Sequence, residues 1–151
     1  MSRISKSDIL YLFDDLWPIM PYVEDHKRNC LEQIKPIKNY FTKYSLNENH
    51  NELLNGLDSL DGIGLTIASG LIWSTHRKDR VPFDKYTTTY ALELKLIKTE
   101  KISTDYIGIC EIIKEYCNGM EFKDGGEYEI EDFVRDAMVE MEDKDYLIEP
   151  K

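Results

Sequence analysis

Residues 57–90, LDSLDGIGLTIASGLIWSTHRKDRVPFDKYTTTY, decide how this chain is read, and their centre is Gly62-Ile63-Gly64. Leu53, Leu54, Leu57 and Leu60 precede the two glycines, and Leu65, Ala68, Leu71 and Ile72 follow them, each set spaced to share one helical face. The pattern is helix, tight hairpin, helix. Glycines one residue apart admit backbone conformations that a side chain forbids, and they let a second backbone come close. The amides of the hairpin and of the following first turn then point outward beside a positive dipole end, which suits one phosphate group. Gly-x-Gly alone also fits a ligand-free helix turn, so the flanking residues carry much of the weight.

Beyond the second hairpin helix, residues 75–83 form a basic loop that ends at Pro82. Asp84 opens a helix expected to run to about Lys98; the threonine-rich 86–90 segment makes strand its rival, but length and Ala91-Leu92-Glu93-Leu94 favour helix. Upstream, Ser5 or Ser7 caps a helix with Ile9, Leu12, Phe13 and Leu16 on one side, which stops by Trp17 because Pro18 follows. Pro18 and Pro21 mark a turn. The next helix, from about Val23, is either kinked at Pro36 or replaced there by a new one carrying Ile37, Tyr40 and Phe41. Asn49 or Asn51 can cap the first hairpin helix. Downstream, Ser103 or Thr104 caps a helix ending at Asn118-Gly119, residues 120–127 turn, and a last helix spans about Glu127 to Glu142. The sum is an all-α fold: one helical domain over 1–142, about seven helices, the helix-hairpin-helix at about 50–75, and an acidic tail at 143–151.

A chain of 151 residues is one domain's worth, burying roughly 68–70% of its unfolded surface. With 42% hydrophobic and 32% charged residues and no apolar run near membrane-spanning length, it reads as a soluble globular protein without membrane association. MSRISKSDIL lacks the apolar region of a secretory signal, so the expected compartment is the cytoplasm. Cys30, Cys110 and Cys117, with His26, His50 and His76, show no metal-ligand spacing, and neither metal nor cofactor is expected.

The net charge of −10 opposes nucleic-acid binding until its distribution is considered. Residues 121–151 hold twelve acidic and four basic residues, a balance of −8. Elsewhere there are two basic patches: Lys27, Arg28, Lys35, Lys38 and Lys43, and then Arg77, Lys78, Arg80 and Lys85 beside the second hairpin helix. Each fits a phosphate-facing role or an ordinary mixed surface.

The hairpin resembles the helix-hairpin-helix DNA-binding motif, and the residues after it are similar to those of the DNA glycosylases built on that motif. That family places an apolar residue and an essential aspartate at the start of the next helix; here Pro82-Phe83-Asp84-Lys85-Tyr86 stands there, with Asp84 twenty residues after Gly64. The resemblance covers about 35 of the 151 residues. It implies DNA contact through Gly62, Ile63 and Gly64, and a catalytic role for Asp84 in base excision repair; the Thr66 hydroxyl could hydrogen-bond a phosphate or, as such residues more often do, its own helix. Thr66 occupies the position of the lyase lysine, so the resemblance implies a monofunctional enzyme. Lys85, Tyr86 and Thr89 replace the residues that usually follow the aspartate, and no four-cysteine cluster loop is present.

Cleaving a base–sugar bond passes through an oxocarbenium-like sugar, which a fixed carboxylate beside C1′ stabilises while orienting the attacking water. The base must leave the stack, and Trp73, Phe83, Tyr86 and Tyr90 are the candidates in sequence for lining its pocket. Asp84 also reads as a helix N-cap, a role compatible with catalysis. Two rivals stand beside the enzyme reading: a non-catalytic module holding DNA or a protein partner, and an acidic C-terminal segment that mimics nucleic acid or engages a partner.

Overall fold

The computed structural model describes residues 3–120 and 125–151, and among these every regular element is helical. Eight α-helices follow one another: α1 Lys6–Tyr11, α2 Val23–Glu32, α3 Ile34–Lys43, α4 His50–Asp58, α5 Leu65–Thr75, α6 Lys85–Glu93, α7 Tyr106–Asn118 and α8 Ile130–Met141. The count exceeds the expected seven because Gln33 separates α2 from α3. Pro36 falls in the first turn of α3, where its missing N–H has no intrahelical acceptor to lose. None of the described helices is long and apolar enough to cross a membrane.

α5 is the axis of the core. Every residue from Ile67 to Ser74 is buried, the signature of a helix surrounded by other elements. α4 packs along it from one side and α1 from another. The small residues 68–70 admit these neighbours; Gly70 faces the Trp17 ring and Leu12. α6 and α8 pair closely, and Phe133 meets Tyr90 at 5.2 Å and Tyr116 at 5.8 Å between ring centroids.

Several boundaries differ from expectation for physical reasons. α1 is capped by Ser5 in a box with Asp8, but Leu12–Leu16 continue it as a π-helical turn closed by the Trp17 N–H donating to the Leu12 carbonyl at 3.0 Å. α6 stops at Glu93, not near Lys98, because Lys95 enters the left-handed region at φ 60°. Asp105 caps α7 in place of Ser103 or Thr104; its carboxylate accepts from the Gly108 N–H at 3.0 Å. α8 starts at Ile130 behind a Glu129–Asp132 box. Of the expected 120–127 turn, residues 121–124 lie outside the described residues.

The acidic C-terminal segment is docked against the domain. The Ile148 N–H donates to the Thr89 hydroxyl at 2.8 Å, the Lys151 N–H to the Glu100 carbonyl at 2.8 Å, and the Ser103 N–H to the Lys151 carbonyl at 3.0 Å. Pro150 is buried. The three cysteine thiols are buried apart from one another, and burial pushes each up to about 12.

Candidate functional site

The hairpin is held from behind by α2 and the residue after it. Gln33 Nε2 and Asn29 Nδ2 both donate to the Asp61 carbonyl, at 2.7 Å and 3.0 Å. Gly62 comes next with φ 72°, a conformation side chains disfavour, and a Cβ there would meet Asn29 Nδ2 at 2.7 Å. Ile63 points into the core, 3% exposed, and is an anchor of the turn with no outward face. Gly64 is the N-cap of α5, has no side-chain cap, and faces open space among the described residues. The first amides of α5 are therefore left for an external acceptor.

This geometry separates the two glycines experimentally. Gly64→Ala, at φ −95° with no described atom within 4 Å of the added Cβ, should keep the fold at a cost below about 1 kcal/mol, yet weaken duplex binding. Gly62→Ala should lower the melting temperature as well, through strain and collision with Asn29. Thermal unfolding alongside binding isotherms checks both. Undiminished duplex binding by Gly64→Ala would remove the hairpin from the interface.

From the far end of α5 the chain returns along the helix, and three anchors fix the return. Arg80 is 6% exposed, with its Nε donating to His50 Nδ1 at 2.8 Å and its other nitrogens to the Asp79 and Asn47 carbonyls. The Tyr106 hydroxyl donates to the Val81 carbonyl at 2.8 Å, and the Phe83 N–H donates to the Ser69 hydroxyl at 2.8 Å. Phe83 itself is fully buried against Tyr106, ring centroids 6.3 Å apart. Asp84 is thereby delivered to the start of α6, where Oδ1 accepts from the Thr87 N–H at 2.7 Å. Only 7% of the residue is exposed, and burial raises the carboxyl above its ordinary value against the pull of the Thr87 N–H.

The starts of α5 and α6 open on one pocket of about 710 Å³. Gly62, Gly64, Leu65 and Thr66 line it from the hairpin side, and Asp84, Lys85 and Tyr86 from the α6 side. Trp17, Ile19, Met20 and Tyr22 form a further wall, and Met138, Glu149 and Pro150 complete the lining. The size lies within the usual range for ligand pockets, roughly 300–1,000 Å³. Of the expected aromatic lining, Tyr86 is there. Trp73 and Phe83 are fully buried elsewhere in the core, and Tyr90 packs on Phe133: Trp73 lies in the enclosed part of α5, Tyr90 faces α8 from α6, and Phe83, in the segment before α6, is drawn in against Tyr106.

The second basic patch is divided by the same geometry. Lys85 lies at the pocket, whereas Arg77 and Lys78 sit beyond the C-terminus of the eleven-residue α5, about 16 Å from its start. Arg77 stacks on Tyr11, 3.8 Å from its centroid, and donates to the Ser74 carbonyl. Arg80 is withdrawn from the surface altogether. In the first patch, Lys27 pairs with Asp14 and Glu24 and Arg28 with Asp25, leaving Lys35, Lys38 and Lys43 exposed along α3.

Sequence reasoning missed the 17–22 wall. Its signal was present: Ile19 and Tyr22 are apolar residues in a proline-flanked turn, and both are highly exposed, at 79% and 78%. No protein-family model, no curated protein and no solved structure matches the chain.

Proposed function

We propose that this chain binds DNA and acts as a monofunctional DNA base glycosylase. The observation that carries the reading is the opening of the α5 start and Asp84 onto one pocket. A backbone phosphate accepts hydrogen bonds from the first amides of α5 behind Gly64, with Thr66 and Lys85 beside it. The flipped base enters between Trp17, Tyr22 and Tyr86. Asp84, held at the start of α6, faces the sugar and stabilises the positive charge that grows at C1′ as the base departs. It then orients water for attack on the same carbon. Burial makes its charge more effective than it would be in water. Thr66 in place of a lysine leaves hydrolysis as the route.

The test is binding, across salt concentrations, to a duplex carrying a cationic pyrrolidine abasic-site analogue and to the undamaged duplex. Preference for the analogue that vanishes in Asp84→Asn supports the enzyme. Salt-dependent binding without preference supports the second reading, a non-catalytic module holding DNA. That alternative draws on one observation: Asp84 already serves as the N-cap of α6.

Glu149 brings the acidic C-terminal segment into the pocket lining, where a bound DNA phosphate would meet its charge. Replacing this carboxylate, Glu149→Lys, should strengthen duplex binding severalfold at low salt and steepen the log K against log salt slope by about 1. An unchanged slope would place the DNA path away from this segment.

A further inference from the structure

Lys35, Lys38 and Lys43 form a row of cations that no acidic side chain neutralises among the described residues. Residues 33–47, which hold all three, contain no Asp or Glu, in a chain whose net charge is −10. At about 100° per residue, Ile37 and Phe41 turn one side of α3 to the core, and Lys35, Lys38, Asn39, Thr42 and Lys43 share the opposite arc. All five are exposed. The packing of α3 ties this row to the hairpin. Gln33, just before α3, donates to the Asp61 carbonyl at 2.7 Å, and Tyr40 lies against Gly56, where an added Cβ would meet its ring at 2.6 Å. α3 therefore starts at the hairpin and runs away from it along α4, with Lys35 nearest and Lys43 farthest.

We infer that this face of α3 is a second contact surface for duplex DNA, taking the phosphates of one strand as it leaves the hairpin. The inference rests on the DNA-binding reading above and not on catalysis by Asp84. One phosphate held at the start of α5 leaves the duplex free to swivel about that point. A charged row fixed to the hairpin removes the swivel, because phosphate contacts set register and orientation. Lys35 and Lys43 stand about 12 Å apart along the axis of α3, at about 1.5 Å per residue. That is the axial reach of about three or four successive phosphates of one strand, at about 3.4 Å each. Asn39 and Thr42, placed between the lysines, supply neutral donors of the kind that hydrogen-bond phosphate oxygens. Lysines on an exposed face act as point charges, so the surface adds affinity and orientation without sequence preference.

The experiment compares duplex binding across salt concentrations for the wild type and for Lys35→Gln, Lys38→Gln and Lys43→Gln combined. Glutamine is as good a helix former as lysine, so the wild-type melting temperature should persist. The slope of log K against log salt should become shallower by about 2 to 3, and affinity at low salt should fall about 10-fold or more. Both changes should be equal on pyrrolidine and undamaged duplexes, so any preference between them survives. Lys35→Arg, Lys38→Arg and Lys43→Arg combined should keep the wild-type slope. The same neutralisation at the exposed Lys95, Lys98 and Lys101 should leave it unchanged too. A wild-type slope in the α3 glutamine variant, or an equal drop on neutralising Lys95, Lys98 and Lys101, overturns the inference. Failure of the DNA-binding reading looks different: the wild type itself would bind neither duplex, and the α3 surface would fall with it.

Discussion

Asp84→Asn should lose base release by at least about 100-fold, the scale of removing one preorganised electrostatic group, while the fold remains as stable as the wild type or becomes more so. The two halves of this expectation come from one geometry. Asn caps helices as well as Asp does, and its side-chain oxygen can still accept from the Thr87 N–H. What disappears is the charge. In the folded protein burial raises the Asp84 carboxyl, so the charged form is disfavoured by the fold, and removing it relieves a cost. The sign is fixed by that direction: a raised folded value means that stability associated with this group is present at low pH and declines as pH rises through that value.

Asp84→Ala separates the roles further. It should also abolish release, but it loses the cap and should cost about 1 kcal/mol of stability. Single-turnover release assays together with chemical unfolding of the two variants decide the matter. If Asp84→Asn releases base and prefers the pyrrolidine duplex as the wild type does, Asp84 is only a cap.

The hairpin was legible because its determinants are local. Leucine spacing, two glycines and a carboxylate at a helix start each act within a few residues, and the start of α5 and the Asp84 cap lie where those patterns place them. Arg80 departs from expectation for the opposite reason. Its neighbours in sequence are basic and polar, but its guanidinium is taken up by His50 and Asn47, some thirty residues earlier, a pairing no local pattern reveals. Trp73 and Phe83 depart similarly: proximity in sequence to Asp84 suggested the pocket, but Trp73 sits in the enclosed α5 and Phe83 packs on Tyr106, more than twenty residues later. Trp17 and Tyr22 reach the pocket from a segment more than sixty residues before Asp84, and the docking of Glu149 depends on Thr89 holding Ile148.

The anchors that long-range packing supplies also make the site acid-labile. Arg80 Nε is always a donor, so His50 Nδ1 must accept and the ring carries its proton on Nε2, which is buried without a partner among the described residues. Protonating Nδ1 breaks that bond and places a second cation beside the guanidinium. Burial first, then Arg80 and His76, lower His50 from 6.5 to about 4. His76, whose ring centroid is 4.6 Å away, is lowered by burial and by Arg80 as well. For a group lowered in the fold, the unfolded chain takes up the proton first, so stability falls as pH drops below 6.5 and levels off near 4. His50 is fully buried, and its shift corresponds to about 3 kcal/mol over that window. Asp79, held low by Lys114, adds acid sensitivity only around and below its unfolded value of 3.8. Asp84 works in the opposite direction, because its protonation in the fold relieves a buried charge. Denaturant unfolding at pH 7 and pH 4.5 should therefore show a loss of about 2 kcal/mol or more in the wild type. His50→Gln, which keeps an acceptor for Arg80 Nε and does not titrate, should flatten that difference; an equal loss in the variant would acquit His50. Because Arg80 anchors the segment that delivers Asp84, the same protonation should loosen the pocket before the whole domain unfolds, and duplex preference should fade at a higher pH than helicity does.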